Sequence, residues 1–209
     1  MSLTGKIDRV DTYSDGKDKF VRITDYKSGN KSFNLLEVFY GISLQLGVYL
    51  QAYCENDENA KPAGMLYFKL DDSPVEGNKL DEDAINKQKI KNLSISGLLV
   101  DDLDVVSNMD LSGKFEYLPV KIKKDGNFDA YSKVASAKNF KNLFEHIKKT
   151  VASLTEEIYS GKTDIMPYKG KCDYCAYTTV CRFDKNGCRV MEKLEKEEIW
   201  KEMARENGN

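Results

Sequence analysis

Two stretches decide how this chain folds: Gly5-Lys6-Ile7-Asp8-Arg9-Val10-Asp11-Thr12-Tyr13 and Phe20-Val21-Arg22-Ile23-Thr24-Asp25-Tyr26-Lys27. Both read as strands, and Ser14-Asp15-Gly16-Lys17-Asp18 between them is turn-forming, so together they predict a β-hairpin. A turn centred between Gly16 and Lys17 sets Val10 against Ile23, Asp11 against Arg22 and Tyr13 against Phe20. These are an apolar, an opposite-charge and an aromatic pair, all favourable across strands. In that register Asp8 faces Asp25. Side chains alternate along a strand, so Lys27 shares the face of Asp25, as do Val21 and Ile23. That face is therefore the buried one, and two acids and a lysine project from it.

Such a placement is costly. Two carboxylates about 5 Å apart repel by roughly 3 kcal/mol at an effective dielectric of about 20. Either one takes up a proton or a cation sits between them. Paired oxygens with open coordination positions suit Mg²⁺ or Mn²⁺, which keep several waters and bind substrate phosphate. An adjacent lysine stabilises negative charge on a phosphate and helps orient the attacking water. The chemistry this favours is phosphodiester hydrolysis. On spacing alone an Asp-x-Lys triplet is more often solvated surface charge; the apolar face and the turn-matched Asp8 bring the two readings level.

The chain has 209 residues, enough for one core, and 41% hydrophobic and 11% aromatic residues exclude wholesale disorder. No run approaches the roughly 20 apolar residues needed to cross a bilayer, and no signal peptide is evident, so a cytoplasmic protein is expected. Met1-Ser2-Leu3 reads as an expression scar on an excised domain and is set aside. A net charge of −2 argues against a module that lives by wrapping nucleic acid.

Beyond the hairpin, a helix is predicted over about 40–56, with Ile42, Leu46, Tyr49, Leu50 and Tyr53 on one stripe. Residues 63–70 read as a buried strand. Residues 71–137 are polar and mixed and read as a peripheral insertion, with a short helix near 82–92. A strongly amphipathic helix follows over about 138–159, carrying Phe140, Leu143, Phe144, Ile147, Val151, Leu154 and Ile158. The plan is a nuclease-type domain over 4–189 (core 5–70 and 138–170, cysteine loop 171–189), then a charged helix or tail over 190–209. The expected class is α/β with a mixed sheet.

Gly5-Lys6-Ile7-Asp8-Arg9-Val10-Asp11, then Ile23-Thr24-Asp25-Tyr26-Lys27-Ser28-Gly29, then Gly41-x-x-x-Gln45-Leu46-x-x-Tyr49 resembles the PD-(D/E)XK nuclease superfamily. The nearest likeness is to the nuclease domain in the B subunit of AddAB-type helicase–nucleases, with the RecB nuclease more distant. The resemblance implies a restriction-endonuclease-like core with flanking helices and a C-terminal cysteine loop. It implies Asp8 and Asp25 as Mg²⁺ ligands, Lys27 as the catalytic lysine, and Gln45 and Tyr49 at the site, Tyr49 against substrate. Gln45 and Tyr49, four apart, share a helix face; plain helix packing is the competing reading, above all for Tyr49. Asp11 is an alternative to Asp8, but the register pairs it with Arg22 on the opposite face.

Cys172-x₂-Cys175-x₅-Cys181 is spaced to grip one metal centre from a single loop. By resemblance these three hold a 4Fe–4S cluster whose fourth ligand lies outside this chain, a pin for the C-terminal segment with no part in hydrolysis. With Cys188 they make an alternative four-cysteine zinc site, and metal-free thiols are a third reading. Cys54 reads as a core residue, and His146 and Trp200 as packing residues. Lys148, Lys149, Lys162, Lys169 and Lys171 read as a solvated basic face.

The function implied by the resemblance is a DNA exonuclease module for double-strand break repair and recombination, trimming the 5′-ended strand beside an AddA-type partner subunit. The chain has no Walker A motif, so ATP hydrolysis belongs elsewhere. A stand-alone CRISPR-associated nuclease and a non-catalytic scaffold organised by the cysteine loop are the alternatives.

Overall fold

The computed structural model describes residues 2–29, 31–70, 81–92, 95–110, 115, 117–173 and 175–208. Its first unit is the hairpin of β1 (Arg9–Ser14) and β2 (Lys19–Lys27). The register is the predicted one, Val10 against Ile23, Asp11 against Arg22 and Tyr13 against Phe20. The turn owes its shape to Asp15, whose carboxylate accepts from the amides of Lys17 and Asp18 at 2.8 and 2.7 Å. Gly16 supplies the left-handed residue, φ +93°. Val21 and Ile23 are fully buried, as the face assignment requires.

β1 starts four residues later than expected, because Gly5 to Ile7 leave the sheet and Gly5 lies against the Tyr49 ring. The ladder thus stops at Arg9–Thr24, and Asp8 stands in a bend just before it rather than opposite Asp25.

The helix predicted over about 40–56 is α2 (Gln45–Glu55), shorter at its start, and a helix not predicted, α1 (Leu35–Phe39), precedes it. Asn34 caps α1 by accepting from the Leu36 amide. Tyr40 and Gly41 end it in a Schellman turn: Gly41 adopts φ +73°, its amide donates to Val38, and the Ile42 amide donates to Glu37 at 2.8 Å. This elbow sets Gln45 at the start of α2.

β3 (Ala60–Lys69) runs parallel to β2, with a register shift where Val21 meets Pro62 and Arg22 meets Gly64. Proline has no ladder donor, so it is accommodated at such an irregularity. Next come α3 (Glu82–Asn92), β4 (Ile95–Val100), α4 (Leu103–Met109), β5 (Val134–Ala135), α5 (Ala137–Tyr159), α6 (Thr178–Cys181) and α7 (Lys196–Glu206). The sheet order is β1-β2-β3-β4-β5, with β3–β4 antiparallel and β4–β5 parallel. This is the expected α/β class with a mixed sheet and flanking helices.

The peripheral reading of 71–137 is corrected. Residues 71–80 lie outside the described residues, but β4 joins the sheet, Leu98 and Leu99 are almost fully buried, and Val105 and Val106 of α4 join the core. Ile95-Ser96-Gly97-Leu98-Leu99-Val100 is short and contains a glycine, which obscures it as a strand. Gly97 is needed because a Cβ there would meet the Met65 carbonyl and Leu66 of β3. The tail helix begins at Lys196, not near Val190, where Glu195 and Glu198 form a capping box.

α2 packs on β2 and β3, α5 covers α2, and α7 closes over α1 and α5. Phe140, Leu143 and Ile147 of α5 and Met203 of α7 are buried there. His146 is a packing residue, as expected: it stacks on Phe39 and bonds the Phe39 carbonyl and Glu206. Trp200 is likewise in the core.

If β4 is a core strand, Leu98→Ala costs about 2–5 kcal/mol in urea unfolding. The exposed Leu154→Ala changes stability by about 0.5 kcal/mol or less. Similar small effects for both would restore the peripheral reading.

Candidate active site

The site grows from the C-terminal end of β2. Thr24 and Asp25 are buried there, and Lys27 is half-buried two residues on. Lys27 Nζ lies 2.5 Å from Asp25 Oδ2, with the acid almost wholly out of solvent. The contact is an ion pair by distance but not aligned as a hydrogen bond, so Asp25 Oδ2 is a buried oxygen without a directional donor. Lys27 also donates to Gln45 Oε1 at 3.2 Å, and Gln45 Nε2 donates to the Tyr49 hydroxyl at 3.3 Å. The α1–α2 elbow makes this row possible, because it starts α2 where its first residue meets Lys27. Asp25, Lys27, Gln45 and Tyr49 are thus brought together.

Asp8 reaches the same strand end differently. Its carboxylate accepts the Tyr26 amide at 3.0 Å, and the side chain is otherwise exposed. Two acids therefore flank one end of β2, one buried and one open to solvent. Asp11 is elsewhere, held by Arg9 at 2.8 Å and Arg22 at 3.1 Å.

Tyr67, Lys31, Glu37 and Ser43, not singled out in the sequence, complete the surroundings. Tyr67 is the β3 partner of Asp25 and is fully buried, with its ring 5.5 Å from Lys27 Nζ and 5.2 Å from Lys31 Nζ. Burial, then the charges of Asp25 and Glu37, push its phenol up to about 12. Glu37 of α1 accepts from Ser43 at 2.9 Å and pairs with Lys171 at 2.7 Å. Burial alone would raise the Glu37 carboxyl, but Lys171 and Ser43 outweigh it and hold it below its ordinary value. Lys31, Glu37, Ser43 and Lys171 line a polar cleft of about 360 Å³. Finding Tyr67 from sequence requires the β2–β3 register, which no local turn specifies.

The donors fit a hard divalent cation. Mg²⁺ and Mn²⁺ bind through one or two carboxylates and retain water, and a buried carboxylate paired with an ammonium, with a second acid at the same strand end, offers such donors. The cysteine loop is different. Cys172, Cys175, Cys181 and Cys188 are reduced thiols, with Cys175 and Cys181 exposed. The Cys175 amide donates to the Cys172 carbonyl at 3.2 Å, and Cys181 ends α6. Among the described residues, however, no three Cys, His, Asp or Glu side chains are gathered as a metal cage. Thiolates are the donors that zinc and iron–sulfur centres take, and one loop carries these. Cys54 is half-buried against the core, its thiol pushed up to about 11 by burial and then by Asp57 and Glu55, so it is an inert packing residue.

A family model for the PD-(D/E)XK nuclease superfamily matches residues 1–182. The B subunit of the ATP-dependent helicase/deoxyribonuclease of Clostridium acetobutylicum is 41% identical over 220 residues, covering 98% of this chain and 19% of that protein. The corresponding protein of Thermoanaerobacter sp. (strain X514) is 38% identical over 221 residues, covering 99% of this chain and 19% of its own. That of Acetivibrio thermocellus is 39% identical, with 98% of this chain and 19% of its own covered. The chain therefore spans about a fifth of the length of these relatives. Among the described residues no helix is long and apolar enough to cross a membrane.

The Asp25–Lys27 contact can be measured without any substrate. Asp25→Asn, Lys27→Met and the double variant should give a coupling of about 1–3 kcal/mol in urea unfolding. Strictly additive losses would show that the two charges do not sense each other.

Proposed function

The chain belongs to the PD-(D/E)XK nuclease superfamily, and on that premise we propose that it is the DNA-cleaving module of a bacterial helicase–nuclease, a divalent-cation-dependent phosphodiester hydrolase. The observation that carries this reading is the Asp25–Lys27 ion pair, its acid almost wholly buried, joined to Gln45 and flanked by Asp8 at the same strand end.

Asp25 and Asp8 are proposed to hold Mg²⁺ or Mn²⁺. When bound, the cation polarises the scissile phosphate and makes its coordinated water more acidic. Asp25 is anchored by the sheet and fixes the position of the charge to be neutralised. Asp8, in a bend and open to solvent, adjusts to the second coordination position. Lys27 gives up its contact with Asp25 and turns to a phosphate oxygen or the attacking water, where its ammonium offsets the charge of the transition state. Gln45 holds the Lys27 ammonium on its other side during that exchange, and Tyr49 steadies Gln45 and is offered to the substrate.

The names of the relatives support DNA as substrate and a second subunit as partner; that partner is proposed to be AddA-type, with ATP hydrolysis outside this chain. Double-strand break repair and recombination would be the process, with trimming of the 5′-ended strand. Similarity to helicase/deoxyribonuclease B subunits along nearly the whole chain favours this over a stand-alone nuclease.

The decisive assay is cleavage of single-stranded DNA with Mn²⁺ or Mg²⁺ by the native chain and by Lys27→Ala, with folding checked by circular dichroism. The variant should lose roughly 10²–10³-fold in rate, and a chelator should abolish native cutting. Cutting that survives Lys27→Ala removes this residue from the centre; a native chain that does not cut with either cation counts against the nuclease reading.

The cysteine loop is proposed to close on a metal centre through Cys172, Cys175 and Cys181, an iron–sulfur cluster completed by a ligand outside this chain. The alternative is zinc with Cys188 as fourth ligand. No step of hydrolysis is routed through it. Anaerobic reconstitution with iron and sulfide should give charge-transfer absorption that Cys175→Ala removes and Cys188→Ala leaves. Stoichiometric zinc uptake lost in Cys188→Ala would select the zinc site instead.

A further inference from the structure

Two buried oxygens in the site have no hydrogen-bond partner among the described residues, Asp25 Oδ2 and the Tyr67 hydroxyl. They belong to paired residues on β2 and β3, so both side chains leave the same face of the sheet. Buried polar groups nearly always find partners, and one that does not calls for a reason. Packing gives none here, because phenylalanine would fill the same space at Tyr67 without a bare hydroxyl. The position is fixed rather than loose: Tyr67 is 1% exposed, and its ring is bracketed by the ammonium groups of Lys27 and Lys31. Toward carboxylates such as Asp25 and Glu37 a tyrosine hydroxyl can only donate. Glu37 already has Ser43 and Lys171. Among the described residues Asp25 is paired with Lys27, which holds it by charge and without alignment.

We infer that Tyr67 is a positioning residue of the centre, whose hydroxyl donates to the Asp25 carboxylate once Lys27 leaves it for the substrate, fixing the carboxylate for the cation. The inference rests on the nuclease reading and deepens it. Lys27 cannot both neutralise Asp25 and serve the phosphate, and without a second donor Asp25 would be free to rotate at the moment its geometry matters. Tyr67 acts through Asp25 and does not touch the substrate. Outer groups of this kind orient metal ligands, and their loss weakens metal binding or activity by about 10–100-fold.

The test is Tyr67→Phe, which removes only the hydroxyl. Titration calorimetry with Mn²⁺ alone, without DNA, should show binding about 10–100-fold weaker than in the native chain. Cleavage should show a lower kcat at unchanged KM for DNA. The metal-free variant should melt no lower than the native chain, because an unpartnered buried oxygen has been removed. In an Asp25→Asn background, Tyr67→Phe should add no further loss. Native Mn²⁺ affinity and native kcat in Tyr67→Phe would overturn the assignment, as would a marked fall in melting temperature without metal, which would make the hydroxyl structural. A native chain that neither binds Mn²⁺ nor cuts DNA would fail the nuclease reading itself, an outcome distinct from a competent native chain with an indifferent variant.

Discussion

A carboxylate and an ammonium held in contact on the apolar face of an interior strand constrain the rest of this molecule. Taking such charges out of water costs several kcal/mol per ion, and contact alone offsets the cost only when other groups complete their hydrogen bonding. The surroundings of Asp25 and Lys27 follow from that requirement. Gln45 accepts from Lys27, Tyr49 accepts from Gln45, and the Tyr67 ring lies under the ammonium. The lysine is thus well provided for, and the acid is not. That asymmetry leaves the acid as the member of the pair whose hydrogen bonding is incomplete among the described residues.

The scaffold that delivers these side chains is economical in its parts. The Schellman turn at Tyr40–Gly41 ends α1 with Glu37 near the site and lets α2 begin at Gln45. Glu37 in turn ties Lys171, the residue before Cys172, to the polar cleft beside the centre. The cysteine loop is therefore moored to α1 by an ion pair, independently of whatever its thiols bind. A partly exposed pair contributes little stability by itself, so its meaning is one of placement.

Much of this is legible in the sequence where the controlling interactions are local. The hairpin register follows from one turn and three cross-strand pairs, and it fixes which side of β2 is buried. The amphipathic period locates α5 to within a residue of its start. Local pattern fails where the deciding contact is distant. The turn register alone sets Asp8 opposite Asp25, but the pull of the Gly5–Tyr49 contact takes the chain out of the ladder first. β4 escapes sequence reading because its burial comes wholly from β3 and the helices, and its glycine answers to a carbonyl on another strand. Tyr67 is invisible at that level, because parallel pairing across an α1–α2 crossover leaves no signature in either strand. Gly41 stands out only as part of a motif, and a long apolar stripe around it conceals the break.

The hairpin also implies an order of assembly. β1 and β2 are joined by a four-residue turn, so their ladder is a low-contact-order event, of the kind that takes microseconds. It brings Asp8 and Asp25 to one end of a strand early. Gln45, Tyr49 and Tyr67 arrive only with the slower parallel docking of β3 and the helices before it, which must first close a much longer loop. A nascent chain thus owns its two acids well before it owns the groups that manage its lysine. The placing of the two acids is thus a matter of local contacts, and that of the groups around the lysine depends on pairing between distant parts of the chain.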